Sequence, residues 1–182
     1  MPGTTVMSSI FSSSKGYILA TLLYHGLRRE ELCKLRMRDL QQREGVLHFR
    51  VHGKGDKTRY IPVGLKAQRL ITEYLEDAKH GDDIEGPLFR PVRENQNAKE
   101  SRRHLAPIAI DRVLRKYARS IGLERGYSAH SMRATFITTA LDNGASLEDV
   151  QSAAGHADPS TTKLYDRRGY NPEKSASFFA NY

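Results

Sequence analysis

Near the C-terminal end of the chain, His130 and Arg133 are followed by the pair Gly155-His156 and then by Tyr165. Two imidazoles, a guanidinium and a phenol are the groups a protein needs to attack a phosphodiester without a metal. They supply a nucleophile, proton carriers and a planar cation matched to phosphate oxygens. Taken singly, each histidine is more often a hydrogen-bonded structural residue and the tyrosine more often an interface packer. The ordered set is harder to assign to chance. Further upstream, Arg28 and Glu31 lie three residues apart and share one helix face. Read locally, this pair is expected to be a solvated surface ion pair; the alternative is a buried carboxylate that fixes the guanidinium. The turn from Gly53 to Lys57 carries Lys54 and Lys57 at its tip, where an ammonium could reach a phosphate. It is not a nucleotide-binding Walker loop, because Asp56 stands before Lys57 where that motif needs glycine.

The elements that must position these groups are readable from period and punctuation. His130 starts a helix that runs to about Asn143 and stops at Gly144, with Met132, Phe136, Ile137, Ala140 and Leu141 on its buried side. His130 and Arg133 are one turn apart on it. Ser146 caps a short helix ending at Gly155, and Asp158-Pro159 opens another that carries Thr161, Thr162, Lys163 and, beyond, Tyr165. Upstream, Lys15 to Tyr24 is apolar nearly all round and predicts a buried helix, although a buried strand has the same composition. Leu47, Phe49 and Val51 alternate with His48 and Arg50 as in a half-buried strand. Arg59 to Val63 returns as its partner, and residues 38 to 42 complete a small antiparallel sheet. Leu65 to Lys79 is an amphipathic helix with an apolar stripe of Ala67, Leu70, Ile71, Tyr74, Leu75 and Ala78.

Pro107 begins a helix to about Ile121. Its expected core face is Ile110, Val113, Leu114, Tyr117 and Ile121, and its other face is a basic ridge of Arg112, Arg115, Lys116 and Arg119. The polar stretch from 81 to 105, with Arg90, Arg93, Lys99, Arg102 and Arg103, is expected to be a mobile or DNA-facing loop.

Composition narrows the partners. The 182 residues are 38% hydrophobic, enough for one domain with a real core, and carry a net charge of +8. That surplus favours a polyanion and makes phosphate contact the expected use of the basic ridge. The single cysteine, Cys33, excludes an internal disulfide framework, and the scattered histidines argue against a zinc module, so no metal and no cofactor is expected. No run approaches the roughly 18 apolar residues of a membrane span. The start lacks the basic and apolar regions of a signal peptide, and the expected setting is intracellular, cytoplasmic and DNA-associated.

Four blocks of the sequence resemble the tyrosine recombinases, also called phage integrases. They are Gly26 to Leu32, Gly53 to Arg59, His130 to Arg133, and Gly155 to Tyr165. The last is the most specific, since its Gly-His, Thr-Thr and tyrosine fall at the family's spacing. The resemblance implies that Arg28 and Arg133 clamp a scissile phosphate with His130 and His156, that Lys54 is a mobile hairpin lysine, that Tyr165 is the nucleophile and that Glu31 supports Arg28. Lys57, Arg59 and Lys163 join the ridge of Arg112, Arg115, Lys116 and Arg119 as DNA-contact candidates.

The implied fold is mainly helical with a three-stranded antiparallel sheet at one edge. It divides into an arm (1–14), a catalytic domain (15–169) and a tail (170–182) whose Phe178, Phe179 and Tyr182 could dock on a neighbour in a tetramer on double-stranded DNA. Ala134 departs from the family, many of whose members have a second histidine there. Most members also carry an N-terminal core-binding domain for which this chain has no room, so an isolated catalytic domain is expected. The alternatives are a type IB topoisomerase-like relaxing enzyme and a non-catalytic DNA-binding module.

Overall fold

The computed structural model describes residues 14–53, 55, 57–91, 102–123 and 127–168. Its elements in chain order are α1 (Ser14–His25), α2 (Arg29–Lys34), a 3-10 turn (Met37–Asp39), β1 (Leu40–Arg43), β2 (Val46–His52) and β3 (Thr58–Pro62). They are followed by α3 (Leu65–Ala78), α4 (Pro107–Ser120), α5 (Ala129–Asp142), α6 (Leu147–Ala154) and α7 (Pro159–Lys163). The strands form one antiparallel sheet in the order β1-β2-β3. The mainly helical fold with a small edge sheet is therefore as expected.

Burial explains the arrangement. The first apolar segment is a helix, and residues 16 to 22 are buried on all sides as α1 packs between α3 and α5. In the sheet, Phe49 pairs with Ile61 and Val51 with Arg59. Phe49, Val51 and Ile61 face the main core, where they meet Leu22, Leu27, Leu32, Ile71 and Tyr74. Such apolar burial is the main stabilising term of the domain. A second, smaller apolar cluster of Ile137, Leu141, Val150 and Ala154 joins α5 to α6. The two clusters have different tasks: the first carries the sheet and α2, the second carries the C-terminal turns. Among the described residues no helix is long and apolar enough to cross a membrane.

Three expectations change. The sheet's first strand begins at Leu40 rather than residue 38, because buried Asp39 accepts from the Arg36 backbone N–H at 2.9 Å and closes a 3-10 turn first. Ile121 is 50% exposed, not in the core; α4 ends at Ser120 and the following Gly122, at φ +77, takes the chain off the helical stripe. Arg90 does not face DNA: it is 2% exposed and paired with Asp83, while the Tyr74 hydroxyl takes the Arg90 backbone N–H. Arg93, Lys99 and the aromatic tail residues lie outside the described residues.

Candidate active site

The site is assembled at the C-terminal end of α6. An α-helix ends with carbonyls that have no partner within the helix and that carry the negative end of its dipole, so cations are favoured there. Here three successive carbonyls each accept from a different arginine. Ala153 accepts from Arg59 Nε at 3.0 Å, Ala154 from Arg133 at 2.6 Å and Gly155 from Arg28 at 2.8 Å. The three guanidiniums come from β3, α5 and the residue before α2, and meet because α6 ends where these elements converge.

Each arginine has a second tether. Arg133, 6% exposed on the buried stripe of α5, also donates to the Gly26 carbonyl at 2.6 Å. Gly26 is suited to this turn, since its φ is +58 and a Cβ there would stand 2.3 Å from the Phe136 ring. Arg28 and Arg59 share the Glu31 carboxylate. Arg59 binds it through both terminal nitrogens at 2.9 and 2.8 Å, and Arg28 adds a side-chain bond at 2.9 Å and its backbone N–H at 2.8 Å. Glu31 is only 7% exposed, so the solvated surface pair read from the local sequence is not what forms. The reason is non-local: Arg59, 28 residues further along the chain on β3, brings a second guanidinium to the carboxylate.

Charge bookkeeping within this cluster leaves a surplus. One carboxylate faces three guanidiniums, and the remaining positive charge points to an anion as the natural occupant of the space beside them. Burial, reinforced by the Arg28 charge, pushes the Arg133 pKa down to about 10, which still leaves it charged at neutral pH. Burial raises the Glu31 pKa less than Arg59, the Arg28 backbone N–H and the Arg28 side chain lower it, so this carboxyl titrates below its ordinary range. His156 has a pKa pushed down to about 4, by burial first and then by Arg133, Arg28 and Arg59, and is neutral at pH 7.

The open space has two lobes. The first, about 490 Å³, is lined by Arg28, His130, Arg133 and His156, and also by Thr161 and by Arg29 with its two paired carboxylates, Glu30 and Asp111. The second, about 520 Å³, is lined by Arg28, His156, Arg59, Lys57 and Gly53. Arg28 and His156 border both lobes, and the hairpin borders the second. Lys54 lies outside the described residues. Tyr165 lines neither lobe. Its half-buried ring packs on the smaller apolar cluster, close enough to Arg133 to influence that group's ionisation. Arg112, Arg115, Lys116 and Arg119 are exposed along α4, and Lys163 is exposed on α7.

Two residues take positions that sequence reasoning did not foresee. Arg59, expected to face DNA, is 14% exposed and turned inward to Glu31. Strand alternation held the signal, since residues 59, 61 and 63 share a face and Ile61 and Val63 are core residues. Thr162, 0% exposed, meets His156 Nδ1 through its hydroxyl at 2.8 Å. Gly155 fits the same close packing: its φ is +64, and a Cβ would come within 2.9 Å of the Arg59 guanidinium.

A mainly helical domain with a three-stranded antiparallel edge sheet is the fold of tyrosine recombinase catalytic domains. Solved structures agree on the fold. The XerA recombinase superposes with a TM-score of 0.71 at 23% identity, covering 96% of this chain and 60% of that one. XerH site-specific recombinase bound to its difH substrate gives 0.68 at 22% identity, covering 92% and 47%. The chain belongs to the phage integrase family, whose model matches residues 8–171. Among its relatives, tyrosine recombinase XerC of Pelobacter propionicus is 39% identical over 148 residues, 81% of this chain and 45% of its own length. Tyrosine recombinase XerD of Listeria innocua is 37% identical over 150 residues, 81% of this chain and 48% of its own. The chain therefore spans about half the length of these relatives.

Proposed function

We propose that this chain is the catalytic domain of a site-specific DNA recombinase that breaks and rejoins strands through a 3′-phosphotyrosyl link. The observation that carries the reading is the set of three guanidiniums fixed on consecutive α6 carbonyls beside a cleft shared by His130 and His156, with Tyr165 near Arg133. In the reaction, Tyr165 Oη bonds to phosphorus as its proton passes to His130 acting as base or relay. The bond from phosphorus to the 5′-oxygen breaks, and Lys54 protonates that oxygen. Arg28 and Arg133 stabilise the charge that grows on the nonbridging oxygens, a term of about 3–4 kcal/mol for each well-placed donor. The link conserves the phosphodiester's energy, so a 5′-hydroxyl from another strand can reverse the step without ATP.

The partner is double-stranded DNA, approached by the exposed cations of α4 together with Lys57 and Lys163. Relatives that carry a recombinase name, and neighbours solved on DNA substrates, support this reading. We infer a homo-tetramer on DNA in which residues 170–182 reach a neighbouring protomer, and a cytoplasmic setting.

The test is covalent capture. The chain is mixed with nicked duplexes carrying a randomised segment and resolved on a denaturing gel. An adduct that disappears in Tyr165→Phe, with enrichment of particular sequences, is the expected result. An adduct without sequence enrichment, accompanied by relaxation of supercoils, would instead indicate a topoisomerase. Salt-sensitive binding with no adduct would leave only a DNA-binding module.

A further inference from the structure

His156 Nδ1 stands 2.8 Å from Thr162 Oγ1, and Thr162 is completely buried. Among the described residues, no other hydrogen bond is made by that hydroxyl. The direction of this one bond can be decided from satisfaction alone. If Nδ1 carried the proton and donated to Oγ1, the hydroxyl hydrogen would be buried without an acceptor, which is costly. If the hydroxyl donates to Nδ1, both groups are satisfied, and the single proton of a neutral imidazole must sit on Nε2. The ring is neutral at pH 7, because burial and the guanidiniums around it oppose a further positive charge.

We propose that Thr162 is a positioning residue that locks His156 in the tautomer protonated at Nε2, making it a hydrogen-bond donor to an anion in the cleft. This rests on the recombinase reading of that cleft. Nε2, the ring's other nitrogen, makes no hydrogen bond among the described residues, and His156 lines both lobes. A donor edge among arginines suits a nonbridging phosphate oxygen and cannot accept the tyrosine's proton, which assigns proton abstraction elsewhere. The same residue also holds the nucleophile's turn, since the Thr162 carbonyl accepts the Tyr165 backbone N–H at 3.0 Å. Histidine direction and tyrosine placement are thereby set by one buried side chain and its own backbone.

The test uses the full chain labelled with 15N-histidine, with long-range proton–nitrogen correlation spectra near pH 7 and the His156 signals assigned against His156→Asn. The wild type and Thr162→Ser are expected to show an unprotonated Nδ1 and a protonated Nε2. Thr162→Val, which keeps the volume and removes the hydroxyl, is expected to shift both nitrogens towards a mixture of tautomers. It is also expected to slow adduct formation on the captured DNA by about 10- to 100-fold, the usual effect of losing a partner that orients a functional histidine. A protonated Nδ1 in the wild type, unchanged nitrogen shifts in Thr162→Val, or an unchanged adduct rate would each overturn the proposal. If the wild type forms no adduct with any DNA, the recombinase reading fails, while the nitrogen shifts still decide whether Thr162 locks the ring.

Discussion

Arg133 is fastened by two backbone carbonyls at 2.6 Å each, whereas Tyr165 makes no side-chain hydrogen bond among the described residues and leans on Ile137, Leu141, Val150 and Ala154. The contrast extends to their surroundings. The guanidinium side is cross-braced by Glu31 and the end of α6, with each donor direction fixed. The tyrosine side is held by packing, which is non-directional, and by the short turn after α7. Charges that must meet a developing phosphorane gain most from being fixed before the substrate arrives. The proposed nucleophile must instead adjust its distance to phosphorus, and a ring seated on an apolar cluster can shift without breaking a hydrogen bond.

The two largest expected effects come one from each side, complete loss on the packed side and a large slowing on the braced side. Arg133→Ala should slow covalent adduct formation by about 100- to 1,000-fold. Tyr165→Phe should abolish the adduct yet bind DNA as the wild type does, because its hydroxyl braces nothing. Adduct rates over time, with DNA affinity measured in parallel at fixed salt, check both. An Arg133→Ala rate within tenfold of wild type would mean that the braced cluster is structural rather than catalytic.

This division also marks how far the sequence could be read. The apolar stripes of α3, α4 and α5 and the alternation through Leu47, Phe49 and Val51 are local patterns, and they placed nearly every element. Ile121 failed because the helix ended one residue before it, a boundary set by Gly122. The site's residue types were legible through resemblance in four blocks. Their bonding was not, since Arg28 finds the Gly155 carbonyl 127 positions away and Arg133 finds Gly26 at a separation of 107. Glu31 looked like half of a surface pair because its second partner, Arg59, comes from a strand 28 residues further along the chain and reaches it only in the tertiary fold. Thr162 was visible as part of the family's Thr-Thr, but its hydrogen bond to His156 depends on how α6 hands over to α7.

A smaller effect is expected from removing the brace itself. Glu31→Gln keeps the shape but removes the one carboxylate that, among the described residues, is paired with Arg28 and Arg59, of which Arg59 is largely buried. Breaking such a pair should cost about 2–3 kcal/mol, less than a fully buried pair because Arg28 is 40% exposed. Calorimetry should therefore show a melting temperature lower by roughly 5–10 °C. An unchanged melting temperature would show that the carboxylate orients Arg28 without stabilising the fold, and would weaken the contrast with the packed tyrosine side.

The smallest effect is one of pH, and it separates the groups by sign and window. The carboxyl of Glu31 has its folded pKa held below the ordinary 4.5, so its contribution is present above that pH and is lost only as acid carries it through the folded value. His25 and His156 behave differently, each with a folded pKa of about 4 against an ordinary 6.5, His25 through burial and His156 through burial and the arginines. Between those values the unfolded chain binds more protons than the native one, so stability is full above about pH 6.5 and falls as the pH drops towards 4. For His25, which is buried beside Phe49, the loss by pH 5 should be about 2 kcal/mol. His156 is partly open to the cleft and should contribute less. Urea unfolding at pH 7 and pH 5 should then show His25→Leu flattening the slope most and His156→Asn less. Glu31→Gln should leave the slope in this window untouched. A Glu31→Gln slope that flattened between pH 7 and 5 would mean that the carboxylate shares its proton with the histidine side, and the guanidinium cluster could no longer be treated as a separately braced unit.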